Sequence, residues 1–197
     1  MNIGWNIETY LSILSLALTG ILSFLVIKID WKRYGFLFVL SAIIGVILCY
    51  IFIYMDLYTF PYRLFPKISK IPFTLILTIF PFYVLLGVRY SPKSWPFKIP
   101  FYWAIVHFGV FTEAWAENRT QLIKYNPTWD LWDSYTWWWI FLLVFEWVGG
   151  LIISPELRKP LDQELLRYGQ LGWFILHFIL ISTIFTAGVY AGKVLFK

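Results

Sequence analysis

The chain has 197 residues, of which 60% are hydrophobic, 22% aromatic and only 14% charged. This composition excludes an ordinary soluble domain, because such a domain has no interior large enough to hide so much apolar surface. The net charge of +5 does not indicate a nucleic-acid partner, since no basic patch with interleaved aromatic side chains falls on a predicted soluble surface.

Six long apolar runs predict transmembrane helices, because about 20 apolar residues are needed to cross a bilayer core of about 30 Å. A transmembrane barrel would instead show alternation with a period of two residues. We therefore predict an all-α integral membrane protein in which residues 1–197 form a single transmembrane domain. The predicted helices cover about residues 10–29, 34–56, 73–88, 98–118, 134–153 and 171–192.

The first two predicted helices each carry a stripe of small residues. In the first helix the stripe consists of hydroxyl side chains at steps of three and four residues, and in the second its members are four residues apart. Such stripes favour close packing against another helix over contact with lipid. The two stripes are Ser12, Ser15, Thr19 and Ser23, and then Ser41, Gly45 and Cys49.

Residues 57–72 form the connection to the third helix. Pro61, Pro66 and Pro72 each remove a backbone donor and restrict the residue before them, which excludes a lipid-exposed helix. We predict an interfacial loop at the level of the lipid headgroups. A second proline-rich connection, residues 89–100, leads into the fourth helix.

The polar connection 119–133 separates the fourth helix from the fifth, for which Asp133 or Ser134 is the predicted N-cap. After the fifth helix, a serine N-cap followed by a proline at the first helical position begins residues 154–170. We predict a short amphipathic surface helix there, before the last transmembrane helix.

The distribution of Lys and Arg gives a preferred orientation. If the connections after the first, third and fifth helices face the cytoplasm, nine basic residues lie inside and seven outside. We therefore predict a cell-membrane protein with both termini outside. In that orientation the connections 57–72 and 119–133 lie beside each other on the outer face.

Glu113 and Glu117 are four residues apart near the end of the fourth helix and therefore share a face. Two carboxylates in a partly dry setting could bind a proton, a cation or a cationic ligand. They could also belong to an ion-pair network that pins the outer connections, since carboxylates at helix ends usually find cations. The candidate cations are Arg63, Lys67, Lys70, Arg119 and Lys124.

Glu146 lies well inside the fifth helix, where an unpaired charge costs roughly 2.5–3.5 kcal/mol. Counted from the connection that they share, Glu146 and His177 lie at similar depths, so antiparallel neighbours would bring them level. We predict that they form an intramembrane polar pair. The pair could be a proton relay or ligand anchor, or a buried polar clasp between the last two helices.

Five tryptophans cluster near the start of the fifth helix, which is typical of the aromatic belt at a membrane surface. They could alternatively form an aromatic cage for a cationic ligand beside the two glutamates. The sequence contains none of the motifs typical of catalytic, phosphate-binding or zinc sites. We therefore predict no catalytic residues, no metal site and no cofactor. The five are Trp129, Trp132, Trp137, Trp138 and Trp139.

Two motifs in the connections resemble an uncharacterised family of small multi-pass membrane proteins from Gram-positive bacteria. The first is FPxRxFPKxxK at residues 60–70, and the second is ExxxExxTxLIKY at residues 113–125. The similarity covers roughly residues 30–150 and implies no particular activity. It implies that one constellation contains Arg63, Lys67, Glu113, Glu117 and Lys124.

Two classes of function remain open. The first is a non-enzymatic structural, sensory or accessory membrane subunit, and the second is a small transporter or ligand-binding protein that uses Glu113 and Glu117. A ligand-binding protein should have a cavity that reaches Glu113, whereas a structural lock should have both carboxylates paired with Arg or Lys. The predicted partners are the lipid bilayer and either a second copy of the chain or another membrane protein.

Overall fold

A computed structural model describes residues 4–162 and, further along the chain, residues 176–178, 180–181, 183–185, 187–188 and 191–192. Five long helices dominate the described part. They are α1 (Ile7–Ile27), α2 (Trp31–Tyr54), α3 (Phe73–Tyr90), α4 (Trp95–Arg119) and α5 (Leu131–Ile152). Two short strands, β1 (Tyr58–Thr59) and β2 (Lys124–Tyr125), lie in the connections.

The fold is an all-α membrane bundle, as the apolar runs predicted. Within the described residues, α1, α2, α3 and α5 are long and apolar enough to cross a membrane. The 25-residue helix α4 packs along α5, but its sequence is less apolar because it contains prolines, Lys98 and two glutamates. A shorter apolar helix, Leu176–Phe185, falls within the sixth predicted helix, whose remaining residues lie largely outside the described part.

The small-residue stripes of the first two helices are packing faces, as predicted. Ser12, Thr19 and Ser23 are buried where α1 packs on α2 and α3. In α2, Gly45 lies so close to α3 that a Cβ atom there would come within 3.4 Å of the Cβ of Phe80. Close approach of backbones through small residues is the usual way in which membrane helices pack.

Helices α3, α4 and α5 surround the centre of the core. Tyr102, Val106 and Leu142 are fully buried there. Two glycines allow the helices to approach closely, because a Cβ at Gly149 would meet Val88 at 2.5 Å and one at Gly109 would meet Trp138 at 3.1 Å. A larger residue at Gly149 would require Val88 to shift, and one at Gly109 would press on the ring of Trp138.

Consecutive helices run antiparallel and divide the connections between two ends of the bundle. The Glu113 end holds the start of α1 and residues 55–72 and 120–130, and the Glu146 end holds residues 28–30, 91–94 and 153–162. At the Glu113 end, β1 and β2 pair antiparallel, and the backbone N–H of Asn126 donates to Leu57 at 3.0 Å. The prediction that these two connections lie beside each other is confirmed.

Helix α5 begins three residues earlier than predicted. Its N-cap is Asp130, whose side chain accepts from the backbone N–H groups of Trp132 and Asp133, while the Asp133 side chain accepts from the N–H of Asp130. This reciprocal arrangement is a capping box. Neither Asp133 nor Ser134 is therefore the N-cap, and the hydroxyl of Ser134 is available for other contacts.

The segment after α5 also differs from the prediction. Ser154 and Pro155 do begin a helical turn, but it is a single 3-10 turn, Pro155–Leu157. The chain then extends along the end of α3, where the N–H groups of Lys159 and Leu161 donate to the carbonyls of Arg89 and Tyr90. Residues 163–170 of the predicted surface helix lie outside the described residues.

Candidate functional site

Glu113 lies near the end of α4 and accepts three hydrogen bonds from neutral donors. Its Oε1 accepts from the hydroxyls of Tyr125 at 2.8 Å and Ser134 at 2.7 Å, and its Oε2 accepts from the indole N–H of Trp138 at 2.7 Å. A carboxylate offers about four acceptor positions, two on each oxygen. One position on Oε2 therefore remains without a donor among the described residues.

The local structure explains how these three donors converge. Because Asp130 caps α5, Ser134 and Trp138 are one turn apart and share the face that packs on α4. The β1–β2 pairing holds Tyr125 above them. Burial raises the pKa of Tyr125, and the Glu113 carboxylate raises it further, so the phenol stays protonated and can donate.

The basic residues predicted to surround Glu113 and Glu117 make other contacts. Lys124 donates to the backbone carbonyl of Glu117, and Arg63 donates to the carbonyls of Phe60 at 2.8 Å and Lys70 at 3.2 Å. Lys67 is exposed. Neither Glu113 nor Glu117 forms an ion pair with a described residue, so the ion-pair network considered for them is not formed there.

A cavity of about 450 Å³ reaches Glu113. Its lining is almost entirely apolar and comes from all five long helices and from both connections of the Glu113 end. Among the described residues Glu113 supplies the one carboxylate of the lining, while Ser134, Trp137 and Trp138 lie in the wall contributed by α5. A volume of this size falls within the range of about 300–1,000 Å³ that small-molecule sites occupy.

Aromatic side chains form the wall of the cavity nearest to the connections. The ring of Phe52 lies 5.1 Å from that of Trp129 and 4.8 Å from that of Trp137, and the ring of Tyr58 lies 5.5 Å from that of Trp129. Burial raises the pKa of Tyr58, which keeps its phenol neutral. These rings give this wall of the cavity an apolar, aromatic surface.

Glu146, at the opposite end, is enclosed by cations and hydroxyl groups. Its carboxylate accepts from Lys98, from Arg158 at 3.1 Å, from Ser91 at 3.1 Å and from Tyr102 at 2.7 Å. The side chains of Lys98 and Arg158 are only 12% and 14% exposed. This arrangement satisfies a buried carboxylate fully, which is what a structural clasp requires.

Further hydrogen bonds at this end fix residues 153–162, which we call the strap. Arg89 and Tyr34 both donate to the carbonyl of Leu157, at 2.9 and 2.8 Å, and Arg33 donates to the hydroxyl of Ser154 at 2.6 Å. Helices α2 and α3 therefore hold the strap against the Glu146 end.

His177 was the predicted partner of Glu146. It is partly buried in the helix Leu176–Phe185. The partners that the structure gives Glu146 come instead from α4, from the strap and from the connection between α3 and α4. The pairing of Glu146 with His177 stays a prediction.

Sequence reasoning missed most of the groups that surround the two carboxylates. Lys98 and Tyr102 were detectable, because they are four residues apart and so share the face of α4 that meets α5. The neutral donors to Glu113 carried no such signal. Among the described residues, no group of three His, Cys, Asp or Glu side chains could hold a metal ion.

The bundle and these two sites define a multi-pass α-helical membrane protein with a carboxylate at each end, one lining a cavity and one enclosed by cations. The chain matches no protein-family model, and no curated protein or solved structure matches it.

Proposed function

We propose that this protein is a non-enzymatic ligand-binding membrane protein and that Glu113 is the polar group that holds its ligand. The observation that carries this proposal is that the Glu113 carboxylate lines the 450 Å³ cavity and has no basic partner among the described residues. This is the combination expected of a binding site rather than of a structural lock.

The contrast with Glu146 supports the proposal. Both carboxylates lie on helices inside the bundle, where an uncompensated charge is costly. Glu146 is compensated by two cations, whereas Glu113 has neutral donors only. A ligand that brings a positive charge or a strong N–H donor to the open position on Oε2 would complete the site at Glu113.

Native mass spectrometry of the gently purified protein tests this function. We expect the wild type to retain a bound small molecule and Glu113→Gln to lose it. Glu117→Gln is the matched control, because it makes the same chemical change one turn away and Glu117 does not line the cavity. Equal retention of the molecule by all three proteins, or a clean unliganded mass for the wild type, would overturn the proposal.

A second candidate, an accessory or structural subunit, is favoured by the enclosed clasp at Glu146. Four side chains fix this carboxylate and leave it no position for a ligand. In that case the protein would act through a second copy or another membrane protein. The same mass spectra test this candidate, because it predicts a stable dimer or a second protein in place of a small molecule.

We further propose a cell-membrane location with the Glu113 end outside. The charges support this orientation: among residues 4–162, the Glu146 end carries eight basic and four acidic residues, and the Glu113 end five basic and six acidic. Basic residues concentrate on the cytoplasmic side of membrane proteins. Relationship to the Gram-positive family stays a proposal, supported by the two connection motifs.

A further inference from the structure

The cavity at Glu113 is closed toward the end of the bundle. The connections contribute six residues to its lining, of which all but the partly exposed Leu122 are buried: Tyr58, Phe60, Pro72, Leu122, Ile123 and Trp129. The β1–β2 pairing and the hydrogen bond from the N–H of Tyr62 to the carbonyl of Gln121, at 2.7 Å, join the two connections above the cavity. Water on that side therefore has no direct path to the cavity through these residues.

The exposed part of the lining lies on the side of the bundle. Leu18 on α1 is 55% exposed, and Phe108 and Trp115 on α4 are 61% and 40% exposed. Thr112, also on α4, is the remaining exposed residue of the lining. Since α1 packs on α2 and α3 while α4 packs on α3 and α5, the cavity opens between α1 and α4.

The side chains around this opening are those of a lipid-facing surface. Leu18 belongs to a helix that is long and apolar enough to cross a membrane, and α4 presents Phe108 and Trp115. A large exposed apolar patch of this kind would be unfavourable in water but is stable against acyl chains. The opening therefore faces the hydrocarbon of the bilayer.

We propose that the ligand is a single-chain amphiphile with a protonated amine head, and that it enters sideways from the bilayer between α1 and α4. This inference rests on the proposed function of Glu113. The amine lies at the open position on Oε2 of Glu113, and the alkyl chain lies along the apolar cavity and out through the opening.

Charge and shape together select this class of ligand. Glu113 carries the one carboxylate in the lining and has no basic partner among the described residues, so a cation is attracted and an anion is repelled. The rings of Trp129, Trp137 and Trp138 near the carboxylate add apolar contact for the part of the alkyl chain next to the head. The nearly apolar lining favours an alkyl chain over a small hydrated ion.

The test uses the full-length protein in phosphatidylcholine nanodiscs, with dodecylamine as the probe. Ethylamine has the same head without the chain, and dodecanoate has the same chain length with a negative head. Binding is measured as bound mass in native mass spectra and as a shift in the thermal unfolding temperature. We expect dodecylamine to bind at least about tenfold more tightly than either comparison compound. We expect Glu113→Gln to bind dodecylamine about tenfold more weakly than the wild type does.

The route is tested by Leu18→Trp, which places a large side chain at the opening. Leu25→Trp is the matched control, because Leu25 is exposed on the same helix and does not line the cavity. After mixing with dodecylamine, the change in tryptophan fluorescence should be about tenfold slower in Leu18→Trp than in Leu25→Trp or the wild type.

The possible failures can be told apart. If ethylamine binds as tightly as dodecylamine in a Glu113-dependent way, the alkyl chain is not part of the ligand. If Leu18→Trp binds dodecylamine as fast as Leu25→Trp, the lateral route is wrong. In both cases Glu113 remains the site. Glu113-dependent binding of dodecanoate in place of dodecylamine overturns the amine head. If none of the three compounds binds in a Glu113-dependent way, the inference falls, and the native mass spectrum then decides whether the proposed function falls with it.

Discussion

Replacing Glu146 by Gln should destabilise the bundle more than any other single removal of a carboxylate among residues 4–162. The substitution keeps the size of the side chain and can keep the contacts with Ser91 and Tyr102. It removes the negative charge that compensates both Lys98 and Arg158. Both cations are more than four-fifths buried and would stay buried without that charge. Removing one partner of a buried ion pair costs about 3–5 kcal/mol, because the other charge stays buried without compensation.

Thermal unfolding of the purified protein measures this cost. For a chain of this size, each kcal/mol lowers the unfolding temperature by about 2–4 °C, so we expect Glu146→Gln to unfold about 6–20 °C below the wild type. Glu117→Gln is the control, because Glu117 is partly exposed and has no ion pair among the described residues. It should lie within about 0.5 kcal/mol of the wild type.

A double variant separates lost charge compensation from lost packing. Adding Lys98→Gln to Glu146→Gln removes one of the two uncompensated cations and should recover part of the stability, even though it deletes a further contact. If Glu146→Gln unfolds at the same temperature as Glu117→Gln, or if the double variant is less stable than Glu146→Gln alone, then the clasp is not electrostatic and this reasoning is wrong.

Three further predictions concern single sites. Gly149→Ala should cost about 1–3 kcal/mol in unfolding experiments, because its Cβ would lie 2.5 Å from Val88, whereas Gly150→Ala, whose Cβ would lie 3.6 Å from the nearest atom, should be close to neutral. Ser134→Ala removes a donor to Glu113 and leaves the indole N–H of Trp129 without its acceptor, so it should lower the free energy of unfolding by about 1–3 kcal/mol. Thr136→Ala is the exposed control, and an equal loss of stability in that variant would contradict this reasoning. The pKa of Tyr125 is raised in the folded protein, so its contribution to stability is present below the unfolded pKa of about 10 and is lost as the pH rises above that value. The unfolding temperature of the wild type should therefore fall more steeply than that of Tyr125→Phe above about pH 10, and parallel curves would exclude a role for this phenol.

The helices were predictable because their signal is local and strong. Long apolar runs require a membrane, and the prolines of residues 57–72 exclude a helix there whatever surrounds them. The start of α5 was misplaced although its signal was present, since Asp130 and Asp133 have the spacing of a capping box. Asp133 and Ser134 lie nearer to the long apolar run and therefore also fit the pattern of an N-cap in the sequence alone.

The partners of the two carboxylates were harder to predict because they depend on which helices are neighbours. Depth along the chain suggested His177 for Glu146, but the same argument applies to α4, which also runs antiparallel to α5 and brings Lys98 to that level. For Glu113, charge alone suggested basic partners. The structure shows neutral donors instead, and only the packing of α4 on α5 together with β1–β2 pairing brings them together.

The ion pair between Lys98 and Glu146 has a consequence for how the chain enters the membrane during synthesis. Alone, each of the two helices would present an unmatched charge to the translocon, and α4 is already less apolar than the helices on either side of it. When α4 and α5 lie side by side, Lys98 and Glu146 can pair before either helix contacts lipid. We therefore expect the two to insert together as a helical hairpin, with α4 waiting in the translocon until α5 has been made.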